Sequence, residues 1–309
     1  MNIDMKNTLL IVSLVLIASI FSDITAQGFI RGGAGAGFNT NQDAFTTYDL
    51  SRDSNDIVIS QATIFGGFGQ GARFSLAGGY MFTPFFGIEL EIYYFQGFKQ
   101  NYGSNTGPTG DQYNRKGYSY QVRGLPSLIV QAPYAKFQPY ARFGVLIPIF
   151  GKTVIEESWT GLTSREKQTD VDGKLSVGFE ASMGLQYNIN EKIGIYFNAT
   201  YTGLRIRSDK ATVVKDNLTA ADGTVTDNLN QPTSLTIAQQ IIFQDELTSE
   251  SNINTSLPAF FSDFPKDIRI EIDGTLDLLK PANFPTQTSN FNSLSFSLGL
   301  KYNFGKKES

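Results

Sequence analysis

The chain has no cysteine and no histidine among its 309 residues. The first absence removes disulfides, thiolate metal sites and cysteine nucleophiles. The second removes every triad or dyad that turns on an imidazole base, so histidine-dependent lipase, deacylase and protease chemistry is excluded. Tryptophan occurs once, at position 159, and charged residues make up 17% of the chain with a net charge of −4. No basic tract is present, which argues against nucleic acid as a partner. Long apolar runs are also missing. The one continuous run, residues 9–21, is too short to cross a bilayer comfortably as a helix. A mean hydropathy of −0.15 would suit a soluble protein. Strands that face lipid on one side, however, hide their apolar residues at every second position and leave no hydropathy peak.

The short apolar run has a different use. Lys6 precedes it and Ser22-Asp23-Ile24-Thr25-Ala26 follows it, the three-part pattern of a secretory signal peptide cleaved after Ala26. Residues 1–26 are therefore expected to be a leader and 27–309 the exported domain. No cysteine follows the cleavage site, so a lipoprotein anchor is not expected.

The most informative stretch is the last, residues 292–304. Leu294, Phe296, Leu298, Leu300, Tyr302 and Phe304 share one face, and Ser293, Ser295, Ser297, Gly299, Lys301 and Asn303 share the other. A tilted strand needs roughly 9–11 residues to cross a bilayer, and this run supplies them. Seven earlier stretches repeat the pattern: residues 28–38, 72–82, 87–99, 118–131, 138–150, 174–187 and 193–207. Their outward sets include Phe74, Leu76, Ile88, Leu90, Ile92, Val122, Leu128, Phe143, Val145, Ile147, Phe179, Met183, Phe197 and Tyr201. The register of 118–131 is the hardest to fix, because Leu125 and Ile129 fall on the wet side and Pro126 interrupts the run. With Gly124 and Pro126 outward, this is also the weakest lipid-facing surface and the first place to expect a membrane partner.

The connections alternate in length. Residues 83–86, 132–137 and 188–192 read as tight turns, whereas 39–71, 100–117, 151–173 and 208–291 are long. Short turns at one end and long loops at the other define an all-β, eight-stranded antiparallel up-and-down transmembrane β-barrel with long extracellular loops. Aromatics fall at the two expected interfaces: Tyr80, Phe82, Phe85, Phe86, Tyr134, Phe137, Tyr187, Tyr302 and Phe304 at the turn side, and Phe38, Phe98, Tyr118 and Tyr201 at the loop side. The last loop, 208–291, is unusually long. Within it 234–247 reads as a short helix or strand, and 267–279 as a hairpin around Asp273-Gly274. Two further membrane strands there, ten in all, are the alternative.

These features resemble the small outer-membrane β-barrel family, the OmpA-like eight-stranded barrels that include PorT-like proteins of Gram-negative bacteria. The resemblance rests on the leader, the glycine-rich first strand Arg31-Gly32-Gly33-Ala34-Gly35-Ala36-Gly37, the strand and loop order, and the closing Leu298-Gly299-Leu300-Lys301-Tyr302-Asn303-Phe304. It implies residence in a Gram-negative outer membrane, among its lipids. It also implies that Tyr302 and Phe304 signal to the barrel-insertion machinery. The chain departs from the family by adding Gly305-Lys306-Lys307-Glu308-Ser309, and a peptidoglycan-binding domain after the barrel is not expected.

Eight strands close a cylinder just wide enough for side chains to fill. The inward charges are Arg31, Arg73, Glu89, Glu91, Arg123, Arg142, Glu180 and Lys301. Counting from the turns places Arg31, Glu89, Glu91, Arg142 and Lys301 in a lower layer and Arg73, Arg123 and Glu180 in an upper one. A buried charge is tolerated when paired, so ion-pair networks plugging the lumen are expected. The inward glycines Gly33, Gly35, Gly79, Gly144, Gly178 and Gly299 would make room for those long side chains. A pair such as Glu89 with Arg142 could alternatively exchange partners and act as a gate.

Other motifs carry less. Gly33-Ala34-Gly35-Ala36-Gly37 lacks the spacing and the following helix of a phosphate-binding loop. Glu156, Glu157, Asp170 and Asp172 could make a carboxylate-only site, and Asp170-Val171-Asp172-Gly173 resembles a fragment of a calcium loop. Neither pattern is complete, so no catalytic, cofactor or metal site is assigned and no enzyme is expected. Three functional classes remain: a structural barrel whose outer loops meet a protein or surface ligand, a narrow gated channel for small solutes, and an accessory of a secretion or assembly machine.

Overall fold

The computed structural model describes residues 27–41, 43–53, 55, 57–107, 110–132, 136–230, 240–248, 250–252 and 280–304. The leader, Tyr134 and the expected hairpin at 267–279 lie outside the described residues. Eight strands form the wall: β1 (Gln27–Asn39), β2 (Gly71–Met81), β3 (Phe86–Gly97), β4 (Gln112–Gln131), β5 (Phe137–Thr160), β6 (Gly178–Asn188), β7 (Ile193–Gly203) and β8 (Ser293–Asn303). Each pairs antiparallel with the next in sequence, and β8 returns to β1 through the register Arg31↔Lys301. Closure of the ring through β8 and β1 rules out ten wall strands.

Alternation decides the facing of every strand. On β3, Ile88, Leu90, Ile92 and Tyr94 are exposed while Glu89, Glu91, Tyr93 and Phe95 are buried. On β8, Leu294 to Phe304 at even positions are exposed, and the alternate serines and Lys301 are buried. A soluble protein would hide these apolar residues; here they form the belt that meets hydrocarbon. The turn-side aromatics pair across and along the strands, with the ring centroids of Tyr80 and Phe82, of Phe137 and Tyr187, and of Tyr302 and Phe304 within 5.2 Å of each other. The uncertain register of β4 resolves as expected, with Leu125 and Ile129 buried inside. Gly124 faces outward but is covered, because the Ile149 side chain lies over it.

The structure departs from the sequence reading above the membrane. β4 begins six residues earlier and β5 runs ten residues further than the expected 118 and 150. β6 begins at Gly178 instead of 174, and β7 stops at Gly203, where Leu204 turns inward. The long loops are largely paired strands. Val58–Gly66 pairs with Asp43–Arg52, which runs parallel to Gln100–Thr106, itself paired to the start of β4. The outer half of β5 pairs with Ser164–Gly173, which pairs with Arg205–Thr219, then Gln240–Gln244 and Ala282–Pro285 follow. Segments this long outside a membrane must satisfy their backbone groups, and extending the ladder does so. The sheet therefore continues outward as a crown.

Candidate functional site

Three cross-strand neighbourhoods set the lumen contents. β3 contributes Glu89 and Glu91 two residues apart, so both carboxylates enter from the same face. Arg31 on β1 and Arg142 on β5 each reach Glu89 Oε1 at 2.5 Å, and Arg142 also donates to Glu91. Arg73 on β2 donates to Glu91 at 2.8 Å and, with its other nitrogen, to both oxygens of Glu180 at 3.0 and 3.1 Å. Glu180 also accepts from the Tyr93 hydroxyl at 2.5 Å and from Thr202 at 3.0 Å. These charged side chains are 6% exposed or less. The two expected layers are thus one network, joined where Arg73 spans Glu91 and Glu180.

Two of the eight expected residues make no ion pair with it among the described residues, and Arg123 joins it only through the Tyr93 hydroxyl. Arg123 donates to Gln121 Oε1 at 2.7 Å and to the Tyr93 hydroxyl at 3.3 Å, with its guanidinium 4.4 Å from the Phe95 ring centroid. Lys301 lies 4.2 Å from the Phe29 ring centroid, and among the described residues no carboxylate comes within ion-pair distance. Aromatic faces attract cations when water is excluded, which is how both are held. The glycines make room for rings more than for charges. A Cβ on Gly79 would strike the Phe29 ring at 2.2 Å, and one on Gly299 would meet the Tyr196 ring at 2.6 Å.

Above the network lies an apolar layer that sequence reasoning missed. Phe68, Tyr93, Phe95, Leu125, Leu146, Leu204, Ile206 and Phe291 form one buried cluster. Phe291 and Leu204 close it from loop segments: the Phe291 N–H donates to the Leu204 carbonyl at 2.9 Å, and Leu204 N–H to Asn292 Oδ1 at 2.8 Å. Parity alone marks Leu125 and Leu146 as inward, but Phe68 and Phe291 lie outside any alternating run. Below the cluster, the gap beside Arg31, Glu89 and Lys301 measures about 10 Å³, room for about one water.

The crown carries a second charged arrangement. Arg115, Glu157, Lys167 and Asp216 stand opposite one another on four successive strands and are all buried, forming a rung of alternating sign. Arg115 and Lys167 approach Glu157 at 3.6 and 3.4 Å, and the Tyr113 hydroxyl donates to Glu157 at 2.6 Å. Asp216 accepts from Arg165 at 2.6 and 2.5 Å. Burial pushes the Lys167 ammonium below its usual range, with Glu157 opposing. The carboxylates considered for a catalytic or calcium site are held by cations: Glu156 by Lys99, Glu157 in the rung, and Asp170 and Asp172 by Lys152. Among the described residues no three such side chains gather to hold a metal.

A closed ring of eight antiparallel strands, greasy outside and filled with polar side chains inside, is an outer-membrane β-barrel. The chain belongs to the outer membrane protein β-barrel domain family, whose model matches residues 9–230. That family implies a Gram-negative outer membrane. No curated protein matches the chain. Among solved structures it is similar to the outer membrane protein OprG from Pseudomonas aeruginosa, with 13% identity over 92% of this chain and 100% of that one, at a TM-score of 0.39. It is similar to Neisserial surface protein A at 8% identity, 91% and 98% coverage and a TM-score of 0.34. It is also similar to Ail, the attachment invasion locus protein of Yersinia pestis, at 8% identity, 91% and 100% coverage and a TM-score of 0.31.

Proposed function

We propose that this protein is a plugged outer-membrane barrel that works through its extracellular crown, in a structural or surface-interaction role. The observation that supports this most is the filling of the lumen. The Arg31–Glu89–Arg142–Glu91–Arg73–Glu180 network lies under the Phe291 cluster, and the lower gap beside it takes about one water. This filling argues against a free path for solutes, while the wall strands continue outward as a paired sheet with an internal charge row. Reconstitution into planar bilayers tests the reading: the wild-type protein is expected to pass no resolvable current, and stepwise conductance would refute it.

One observation favours a second reading. Glu89 Oε1 is shared by two arginines, while its Oε2 has no hydrogen-bond partner among the described residues. Such a carboxylate can change partners, as a gate requires. Glu89→Ala in the same bilayers decides: current in the variant but not in the wild type supports a gate, and silence in both ends it. Co-purification from native membranes in mild detergent addresses the accessory role, where a stoichiometric neighbour is the supporting result.

A further inference from the structure

The barrel wall is not fully sealed. β5 is paired with β6 as far as Leu146↔Gly178, and its next partner begins at Lys152↔Asp172. Residues 147–151 and 173–177 face each other across this interval without ladder pairing. The sequence explains the break. Pro148 has no N–H to offer, and a bulge between Val122↔Phe150 and Arg123↔Pro148 puts two consecutive side chains, Ile149 and Phe150, on the outside, each 59% exposed. The facing segment holds Leu175 out at 85% exposure. Between them is a cleft of about 240 Å³ whose inner end reaches Gln121 and Phe291 on the lumen side. Apolar cavities of about 150 Å³ already accept a benzene ring, so this one is large enough for a ligand.

Its depth and charge say which ligand. Ile147, Ile149 and Phe150 are the last exposed apolar residues of β5, so the mouth of the cleft is continuous with the lipid-facing belt. Three cations, Lys152, Lys174 and Arg207, line its upper lip against one lining carboxylate, Asp172. Lys152 also contacts Asp170 at 3.3 Å, and Lys174 and Arg207 share Asp245 at 3.2 and 2.5 Å. Lys152 also lies 3.9 Å from Asp172, and a lysine has three N–H donors, more than these contacts use among the described residues.

We propose that this seam is a lipid-binding site, in which one acyl chain of an anionic outer-leaflet lipid lies against Ile149, Phe150 and Leu175 while its headgroup meets Lys152, Lys174 and Arg207. The membrane supplies the chain at that depth, and the lip selects its charge.

A single reporter tests this. Leu175→Trp in a Trp159→Phe background is placed in phosphatidylcholine vesicles containing a minority of brominated-chain phosphatidylglycerol or brominated-chain phosphatidylcholine. Brominated phosphatidylglycerol is expected to quench the seam tryptophan about fivefold more effectively than brominated phosphatidylcholine. A control tryptophan at Leu298, on the plain lipid face, is expected to respond equally to both. Lys152→Gln, Lys174→Gln and Arg207→Gln together remove the preference, and Asp245→Asn, which frees two of the cations, strengthens it. Heat-modifiable gel migration confirms that each variant is folded. Equal quenching by the two lipids at the seam, or a preference that survives the triple substitution, overturns the proposal. So does loss of the preference on adding inorganic phosphate, which would assign the lip to a free anion.

Discussion

Glu91 is the hub of the lumen, and its substitution gives the sharpest test of how dry that lumen is. Its side chain is 4% exposed and faces three guanidiniums: Arg142, Arg73 at 2.8 Å and Arg31 at 3.8 Å. Glu91→Gln keeps the shape and one acceptor but removes the charge, leaving three arginines to Glu89 and Glu180. Breaking a buried ion pair from one side costs about 3–5 kcal/mol, because the remaining charge stays buried without compensation. For a domain of this size each kcal/mol moves the melting temperature by about 2–4 °C, so a fall of about 6–20 °C is expected. The exposed pair Lys99–Glu156, at 2.7 Å with 54% and 33% exposure, is the internal comparison. Glu156→Gln removes a pair of similar geometry from water and is expected to cost less than about 1 kcal/mol. The assay is urea unfolding of both variants in the same lipid vesicles, read by tryptophan fluorescence from Trp159. If Glu91→Gln costs no more than Glu156→Gln, the lumen is wet and the plugging argument fails.

Two other outcomes follow from particular contacts. A Cβ at Gly299 would lie 2.2 Å from the Gly32 carbonyl oxygen as well as against Tyr196, so Gly299→Ala is expected to lower the yield of folded barrel, measured as the heat-modifiable fraction on gels. Equal yield would mean the β1–β8 seam is looser than drawn. Hydrogen bonds from Thr286, Arg207 and Lys174 hold the Asp245 carboxyl down to about 2. A carboxyl lowered on folding stabilises above its unfolded value and loses that contribution as pH falls through the folded one. Amide exchange in Gln240–Gln244, divided by the intrinsic rate at each pH, is therefore expected to quicken between about pH 4 and pH 2 in the wild type, and to be flat there in Asp245→Asn. A wild-type profile without that rise would contradict the tether.

The wall was legible because a membrane strand declares both faces: Leu294 to Phe304 and Ile88 to Tyr94 alternate without exception, and the three tight turns order the strands. The eight inward charges followed from the same parity. Which of them meet did not, since pairing depends on strand stagger around a closed ring, and this put Arg73 between two glutamates and left Lys301 on a phenyl ring. The crown was read mostly as loops because its strands lack strict two-residue alternation, and apolar residues such as Ala211, Ile241 and Phe243 come together only across strands. Arg115, Glu157, Lys167 and Asp216 look like solvated charges one at a time, and only cross-strand register sets them in a row. The apolar layer above the network was hidden for a related reason: Phe68 and Phe291 belong to no periodic run and reach the lumen through backbone bonds to Asn290 and Leu204.

The most direct test of a closed, plugged barrel uses the lack of native cysteine. Single cysteines at successive positions from 293 to 304, spin-labelled in lipid vesicles, report collisions with oxygen from the lipid and with a water-soluble nickel chelate. Positions 294, 296, 298 and 300 are expected to be open to oxygen, and 295, 297 and 299 to be shielded from both reagents. Nickel access at those odd positions would mean a water-filled pore, and loss of the two-residue period would mean that this strand is not part of a membrane wall.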